Sequence, residues 1–193
     1  LLWSRLPPEV VTHWNLRGEP DGWMSRGAAA LLGPALVLVF TGIAQVLPTI
    51  DPRRENYARF SSAYWLVING LILFFAFLHV AVLVSGAGAR LSIERVIVGG
   101  LAVLLLVVGN ALGRIRPNWF LGIRTPWTLE SPDVWRKTHR LAAWLFVSAG
   151  LVVGAAAFLP FLNPLVVAFV AAIIAAAVPA LLSLVFWFRE KHP

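Results

Sequence analysis

No cysteine occurs among the 193 residues, which excludes a disulfide framework and any zinc site built on thiolates. Charge is scarce as well. Asp, Glu, Lys and Arg together make up 13% of the chain, against about one quarter in an ordinary soluble domain. The charged residues avoid the centres of the long apolar runs, which argues against a coupled transporter, whose pathway is marked by intramembrane charge. No Gly-x-Ser-x-Gly elbow, phosphate-binding Gly-Lys-Ser/Thr loop or His-Glu-x-x-His pair occurs, and His13, His79, His139 and His192 are scattered. The chain is therefore expected not to be an enzyme, and no cofactor is expected.

Hydrocarbon dominates what is present. Hydrophobic residues make up 59% of the chain and the mean hydropathy is +0.79. The expected fold class is all-α, a polytopic transmembrane helical bundle. Five spans are read at 28–48, 64–85, 93–113, 142–159 and 165–188, each close to the ~20 residues that cross a ~30 Å hydrocarbon core. Pro48 to Pro52 is expected to end the first span, Gly86-Ala87-Gly88 the second, and Ser92 to cap the third. Pro179 is expected to kink the last. Ser131-Pro132-Asp133 starts a helix that runs in the interface before entering the fourth span, with Asp133 and Lys137 spaced for an ion pair. Leu1-Leu2-Trp3 resembles the last turn of an apolar helix, so a sixth span is expected ahead of it in the complete protein.

The formal net charge of +7 suggests nucleic acid at first sight. The cations flank the apolar runs instead of forming one patch, so membrane lipid headgroups suit them and no direct nucleic-acid partner is expected. Sorted by side of the membrane, five of the sixteen Lys and Arg lie with the loop 4–27 and eleven lie with the loop 114–141 and the C-terminus. Positive charge marks the cytoplasmic side. Loop 114–141 and the C-terminus are therefore expected inside a cell membrane, and loop 4–27 outside.

Two polar stretches interrupt the hydrocarbon. The outer one, from Leu6-Pro7-Pro8 to Trp23, is rich in Pro, Gly, Asn and Asp, so an ordered, turn-rich loop is expected. Its His13, with Glu9, Glu19 and Asp21, is the one place where a metal shell is conceivable; no metal is expected, and His13 and Asp21 are the weak candidates. The inner stretch runs Arg114-Ile115-Arg116-Pro117-Asn118-Trp119-Phe120-Leu121-Gly122-Ile123-Arg124-Thr125-Pro126-Trp127-Thr128. Three prolines, counting Pro132, forbid one continuous helix through it. An aromatic and cationic belt would explain the tryptophans and arginines, but not the alternation of turn formers, amides and arginines, which suits a defined binding surface. Asn69, His79 and Asn110 lie at or near membrane depth, either as a polar pathway or as interhelical hydrogen bonds. The Gly109/Gly113 and Gly150/Gly154 spacings permit close helix packing.

The inner stretch, with Gly109-Asn110 before it and Val134-Trp135-Arg136-Lys137-Thr138-His139-Arg140 after it, closely resembles the SdpI family of bacterial membrane proteins. These are named for immunity to a sporulation-delaying peptide toxin. The outer loop, through Thr12-His13-Trp14-Asn15 to Gly18-Glu19-Pro20-Asp21-Gly22-Trp23, resembles the DUF1648 module that commonly precedes that motif. The resemblance divides the chain into 1–63, a DUF1648-like outer loop with the first full span and the loop after it, and 64–193, an SdpI-like four-span region containing loop 114–141. It implies protection against an extracellular antimicrobial peptide toxin and capture of a cytosolic transcriptional repressor at the bacterial cytoplasmic membrane. On this reading Arg116, Asn118, Trp119, Arg124, Thr125, Trp127, Trp135 and His139 form the cytosolic partner surface, and His13, Asn15, Glu19 and Asp21 belong to the outer loop that meets the toxin. The alternatives are a small-solute or ion transporter lined by Asn69, His79 and Asn110, and a membrane metalloprotein or enzyme using His13 and Asp21.

Overall fold

The computed structural model describes residues 2–15, 17–159 and 161–192. Leu1 of the apolar start, Leu16 of the outer loop, Pro160 of the turn before the last span, and Pro193 lie outside the described residues. Among the described residues five helices are long and apolar enough to cross a membrane: α1 (Arg26–Ile50), α2 (Tyr57–Gly86), α3 (Ile93–Leu112), α5 (Pro132–Ala156) and α6 (Pro164–Lys191). A short α4 (Pro126–Glu130) lies in the inner loop. The chain is a polytopic helical bundle. It has two polar ends, a hairpin end before α1 and a basic end holding α4.

The helix ends follow local chemistry, not always where the composition suggested. Pro48 does not stop α1, which continues to Ile50 and ends at Asp51, extended and followed by Pro52. The following helix starts at Tyr57 instead of residue 64, after a 3-10 turn at Arg54–Asn56, and bends at Phe60. This early start carries Tyr57, Phe60 and Tyr64 into the core beside Ile115 and Trp135. Ser92 occupies the N-cap position of α3 without a side-chain cap bond. Ser131 does cap α5, its Oγ accepting from the Asp133 and Val134 amides at 3.2 Å. Asp133 pairs with Arg136 at 3.1 Å instead of Lys137. Asn163 caps α6 through the Val166 amide at 3.1 Å, and α6 runs through Pro179 as one helix.

Two strands form where only turns were expected. β1 (Glu9–Trp14) and β2 (Pro20–Ser25) pair antiparallel. Val-Val-Thr-His-Trp is a β-branched and aromatic run that suits a pleated, half-buried surface. Leu6 and Val10 sink from the hairpin onto Ala29 of α1 and the C-terminal end of α2. The hairpin is therefore seated on the bundle.

Two prolines of α1 explain how α2 is keyed to it. Proline has no N–H, so a helical carbonyl four residues earlier loses its donor, and hydrocarbon offers no water in its place. Pro48 frees the carbonyl of Ala44, and Tyr64 Oη donates to it at 2.6 Å. Pro34 frees the carbonyl of Ala30, and the His79 ring packs against α1 at this level, over Gly33. The ring fits because position 33 is glycine; a Cβ there would fall 2.2 Å from His79 Cγ.

The core between α3, α5 and α6 is built on small residues, with Val98, Ala102, Leu105, Ala149, Val153, Ala168 and Ala175 buried together. Gly109 and Gly150 are the points of closest approach. A Cβ on Gly109 would meet the Val147 amide at 2.8 Å, and one on Gly150 the Ala102 carbonyl at 2.9 Å. Gly113 and Gly154 are looser, with neighbours at 3.9 and 3.6 Å. Gly109→Ala or Gly150→Ala is therefore expected to cost about 1–3 kcal/mol through forced backbone separation, and Gly113→Ala or Gly154→Ala far less. Thermal unfolding of the four variants in one detergent checks this order.

Candidate functional site

The inner loop is a closed structure organised by Asn118. Its side chain is fully buried and all of its polar capacity is used inside the loop. Nδ2 donates to the carbonyls of Arg116 (2.9 Å) and Leu121 (3.0 Å), and Oδ1 accepts from the amides of Phe120 (2.9 Å) and Leu121 (2.7 Å). The chain then turns at Gly122, whose φ is +107°, a conformation that favours glycine. A Cβ at Gly122 would also lie 2.3 Å from His139 Nε2.

His139 and Trp135 form the floor. Their rings stack at 4.0 Å with 16° between planes, and both are buried. Trp135 Nε1 donates to the Ile115 carbonyl at 2.9 Å. His139 Nδ1 donates to the Trp135 carbonyl at 2.9 Å, and Nε2 accepts from the Ile123 amide at 3.0 Å. One donor and one acceptor is the pattern of the neutral imidazole.

Thr125 begins α4 through a capping box with Thr128, whose Oγ1 also donates to the Ile123 carbonyl at 3.0 Å. Thr125 Oγ1 meets Ser183 Oγ of α6 at 3.0 Å, and Trp127 Nε1 donates to the same Ser183. Ser131 Oγ donates to Glu190 at 2.7 Å, Trp187 Nε1 donates to Glu130 at 2.9 Å, and Lys191 pairs with Glu130 at 3.1 Å. On the opposite flank the buried Asp51 carboxylate accepts from the Arg53 amide (2.7 Å), the Trp119 amide (2.9 Å) and Tyr57 Oη (2.9 Å). Arg53 donates to the Leu129 carbonyl at 2.6 Å and Asn56 to the Pro117 carbonyl at 2.8 Å. The loop is thus fastened to the α1–α2 corner, to α5 and to the end of α6.

This geometry divides the residues expected to face a partner. Asn118, Trp135 and His139 are buried and face inward, because their polar atoms complete the loop's own backbone. Thr125 and Trp127 are half-buried against Ser183. Arg116, Trp119 and Arg124 are exposed, and Arg124 Nη1 donates back to the Trp119 carbonyl at 2.5 Å. Arg54, Arg114, Arg136, Lys137 and Arg140 are exposed too. The surface on offer is an exposed indole among arginines. Asp51, Ser183 and Glu190 complete the fastening and were not singled out in the sequence. The signal for Asp51 was its place before Pro52 as an acid among basic neighbours.

The hairpin holds the outer residues in two pairs. His13 Nδ1 lies 2.5 Å from Asp21 Oδ1 across the strands. Asn15 Oδ1 accepts from the Arg17 and Glu19 amides at 2.8 and 3.0 Å, while Nδ2 donates to Glu19 at 2.9 Å. Among the described residues no third His, Asp or Glu joins His13 and Asp21 in a metal-binding group.

The three intramembrane polar residues do not converge. Asn69 and Asn110 are exposed on the outer faces of α2 and α3, and Asn110 accepts from Arg114 Nη2 at 2.9 Å. His79 is engaged with α1. A shared pathway through these three residues is not what the fold builds. For the loop, Asn118→Leu is expected to lower stability by about 3 kcal/mol or more, since it strands several buried backbone groups. Denaturant unfolding followed by tryptophan fluorescence checks this.

Comparison with known proteins agrees with the resemblance carried by the two polar stretches. Residues 114–183 match the SdpI/YfhL protein family, and residues 1–38 match DUF1648, a domain of unknown function. Immunity protein SdpI of Bacillus subtilis (strain 168) is 25% identical over 158 residues, which cover 82% of this chain and 73% of that protein. No solved structure matches. The chain is a multi-span helical membrane protein that carries an SdpI/YfhL match over its inner loop and the helices after it, and a DUF1648 match at its N-terminal end.

Proposed function

We propose that this protein is an immunity protein of the bacterial cytoplasmic membrane, protecting the cell against an extracellular antimicrobial peptide. The observation that carries the reading is the similarity to Immunity protein SdpI across four-fifths of the chain. The uneven charge supports an orientation with the hairpin outside and the basic end inside. The hairpin, seated on α1 and α2 by Leu6 and Val10, is then the first folded element an external peptide meets.

The basic end supports a second role, capture of a cytosolic repressor. Arg116, Trp119 and Arg124 give a rigidly held aromatic anchor with flanking cations, the residue types that dominate protein interfaces. An acidic patch on the repressor is the complementary surface. Linkage of the two roles requires a difference in helix packing between the toxin-bound and free states, and toxin and repressor must then alter each other's affinity reciprocally.

The test is survival of toxin-sensitive cells expressing the protein, beside an Arg116→Glu/Arg124→Glu variant matched for membrane abundance. The wild type is expected to protect. The variant is expected to protect equally while its membranes capture repressor at least about tenfold less, the loss of charge-steered contacts. Sensitive cells despite abundant wild-type protein would overturn immunity. Unchanged capture by the variant would overturn the basic surface.

A further inference from the structure

A cavity of about 400 Å³ opens beneath the hairpin between α1, α2 and α3, a volume in the range of ligand sites. Its walls include Leu32, Leu36, Phe75, Leu78 and Ile97, and its ionisable lining residues are His13, His79 and Glu94. Glu94 stands in the first turn of α3, where the positive helix end favours a carboxylate. The side chain is half-buried and reaches across to the hairpin turn, its Oε2 being 3.2 Å from where a Cβ on Gly18 would stand. Among the described residues no hydrogen bond or ion pair occupies it. A carboxylate without a partner at the edge of an apolar cavity favours an occupant that is apolar and locally positive.

We propose that this cavity binds an amphiphilic peptide segment, with apolar side chains between α1, α2 and α3 and a lysine or arginine of the segment against Glu94. The inference rests on the immunity reading above and assigns its peptide-binding site. The sign of the occupant follows from charge complementarity with Glu94. A peptide is favoured over a lipid tail because Thr12–Asn15 of the hairpin also line the cavity. Of these, Thr12 Oγ1 and Trp14 Nε1 carry no hydrogen bond among the described residues, and a peptide can use such groups where an acyl chain cannot. His79 lines the same space and fills the notch at Gly33, so a side chain seated against it bears on the α1–α2 contact.

The test uses the whole chain in nanodiscs of neutral lipid and three short Leu/Ala peptides containing photoreactive leucine. The peptides differ only in one central residue: Lys, Gln or Glu. The Lys peptide is expected to label segments 29–36 and 75–97 saturably and in preference to the other two. Glu94→Gln, nearly isosteric, is expected to weaken its half-saturation about tenfold and remove the preference. Leu36→Trp, which fills the cavity, is expected to reduce labelling by all three. Equal labelling by the three peptides, labelling that never saturates, or no effect of Glu94→Gln would each overturn the site. Should Glu94→Gln fail to fold, the peptide-charge comparison on wild type and Leu36→Trp decides. Survival assays on the same proteins separate the two readings. Selective, saturable labelling without protection overturns immunity and leaves the cavity. Protection without selective labelling overturns the cavity and leaves immunity.

Discussion

A backbone carbonyl without a donor is very costly inside a bilayer, because no water is present to replace the missing bond. α1 contains two prolines and so frees the carbonyls of Ala30 and Ala44. Tyr64 of α2 donates to the Ala44 carbonyl, and His79 of α2 packs its ring over Gly33, beside Pro34. The prolines thus act as register marks. One axial and rotational setting of α2 brings Tyr64 to the Ala44 carbonyl and His79 into the notch at Gly33, and the hairpin, which rests on the ends of these two helices, inherits that setting.

The same rule shapes the basic end. The inner loop has turns and a short helix where a span would have continuous hydrogen bonding, and Asn118, Thr128, His139 and Asp51 are buried to satisfy it. Each of them bonds to main-chain groups of the loop. Once the loop is internally complete and clamped to α6 through Ser183 and Glu190, its remaining side chains, Arg116, Trp119 and Arg124, are held on a firm base. A firm base reduces the ordering cost of binding. The bundle thereby keeps an apolar cavity under the hairpin apart from a cationic aromatic surface at the other end, with α2 and α3 joining them.

Much of this was legible in the sequence. Hydrophobic run length gave five spans near their observed places, and Ser131-Pro132 marked the start of α5, because both signals are local. The inner loop stood out by composition and by its resemblance to the SdpI family. What failed depended on long-range partners. The stretch from Pro48 to Pro52 does end α1, but that Pro48 lies inside the helix with Tyr64 on the carbonyl it frees is not readable locally. His79 reads either as a pathway residue or as an interhelical contact, and its sequence neighbourhood does not show that Gly33 lies opposite. Asn118, Trp135 and His139 carry the residue types of an interface, yet their partners lie within the chain, and burial cannot be read from residue type. The hairpin was hidden for another reason: two short strands among turn formers give a weak period beside long helical runs.

The claim that α2 serves α1's prolines is tested most directly by a double-mutant cycle of Pro48→Ala and Tyr64→Phe, read by unfolding in mild detergent. In the Pro48 background, Tyr64→Phe should cost about 1–3 kcal/mol, the penalty of a buried group left unsatisfied. In the Pro48→Ala background the helix supplies its own donor to Ala44, and the same substitution should cost close to nothing. Equal costs in the two backgrounds would contradict the account, since Tyr64 would then stabilise the bundle by packing alone.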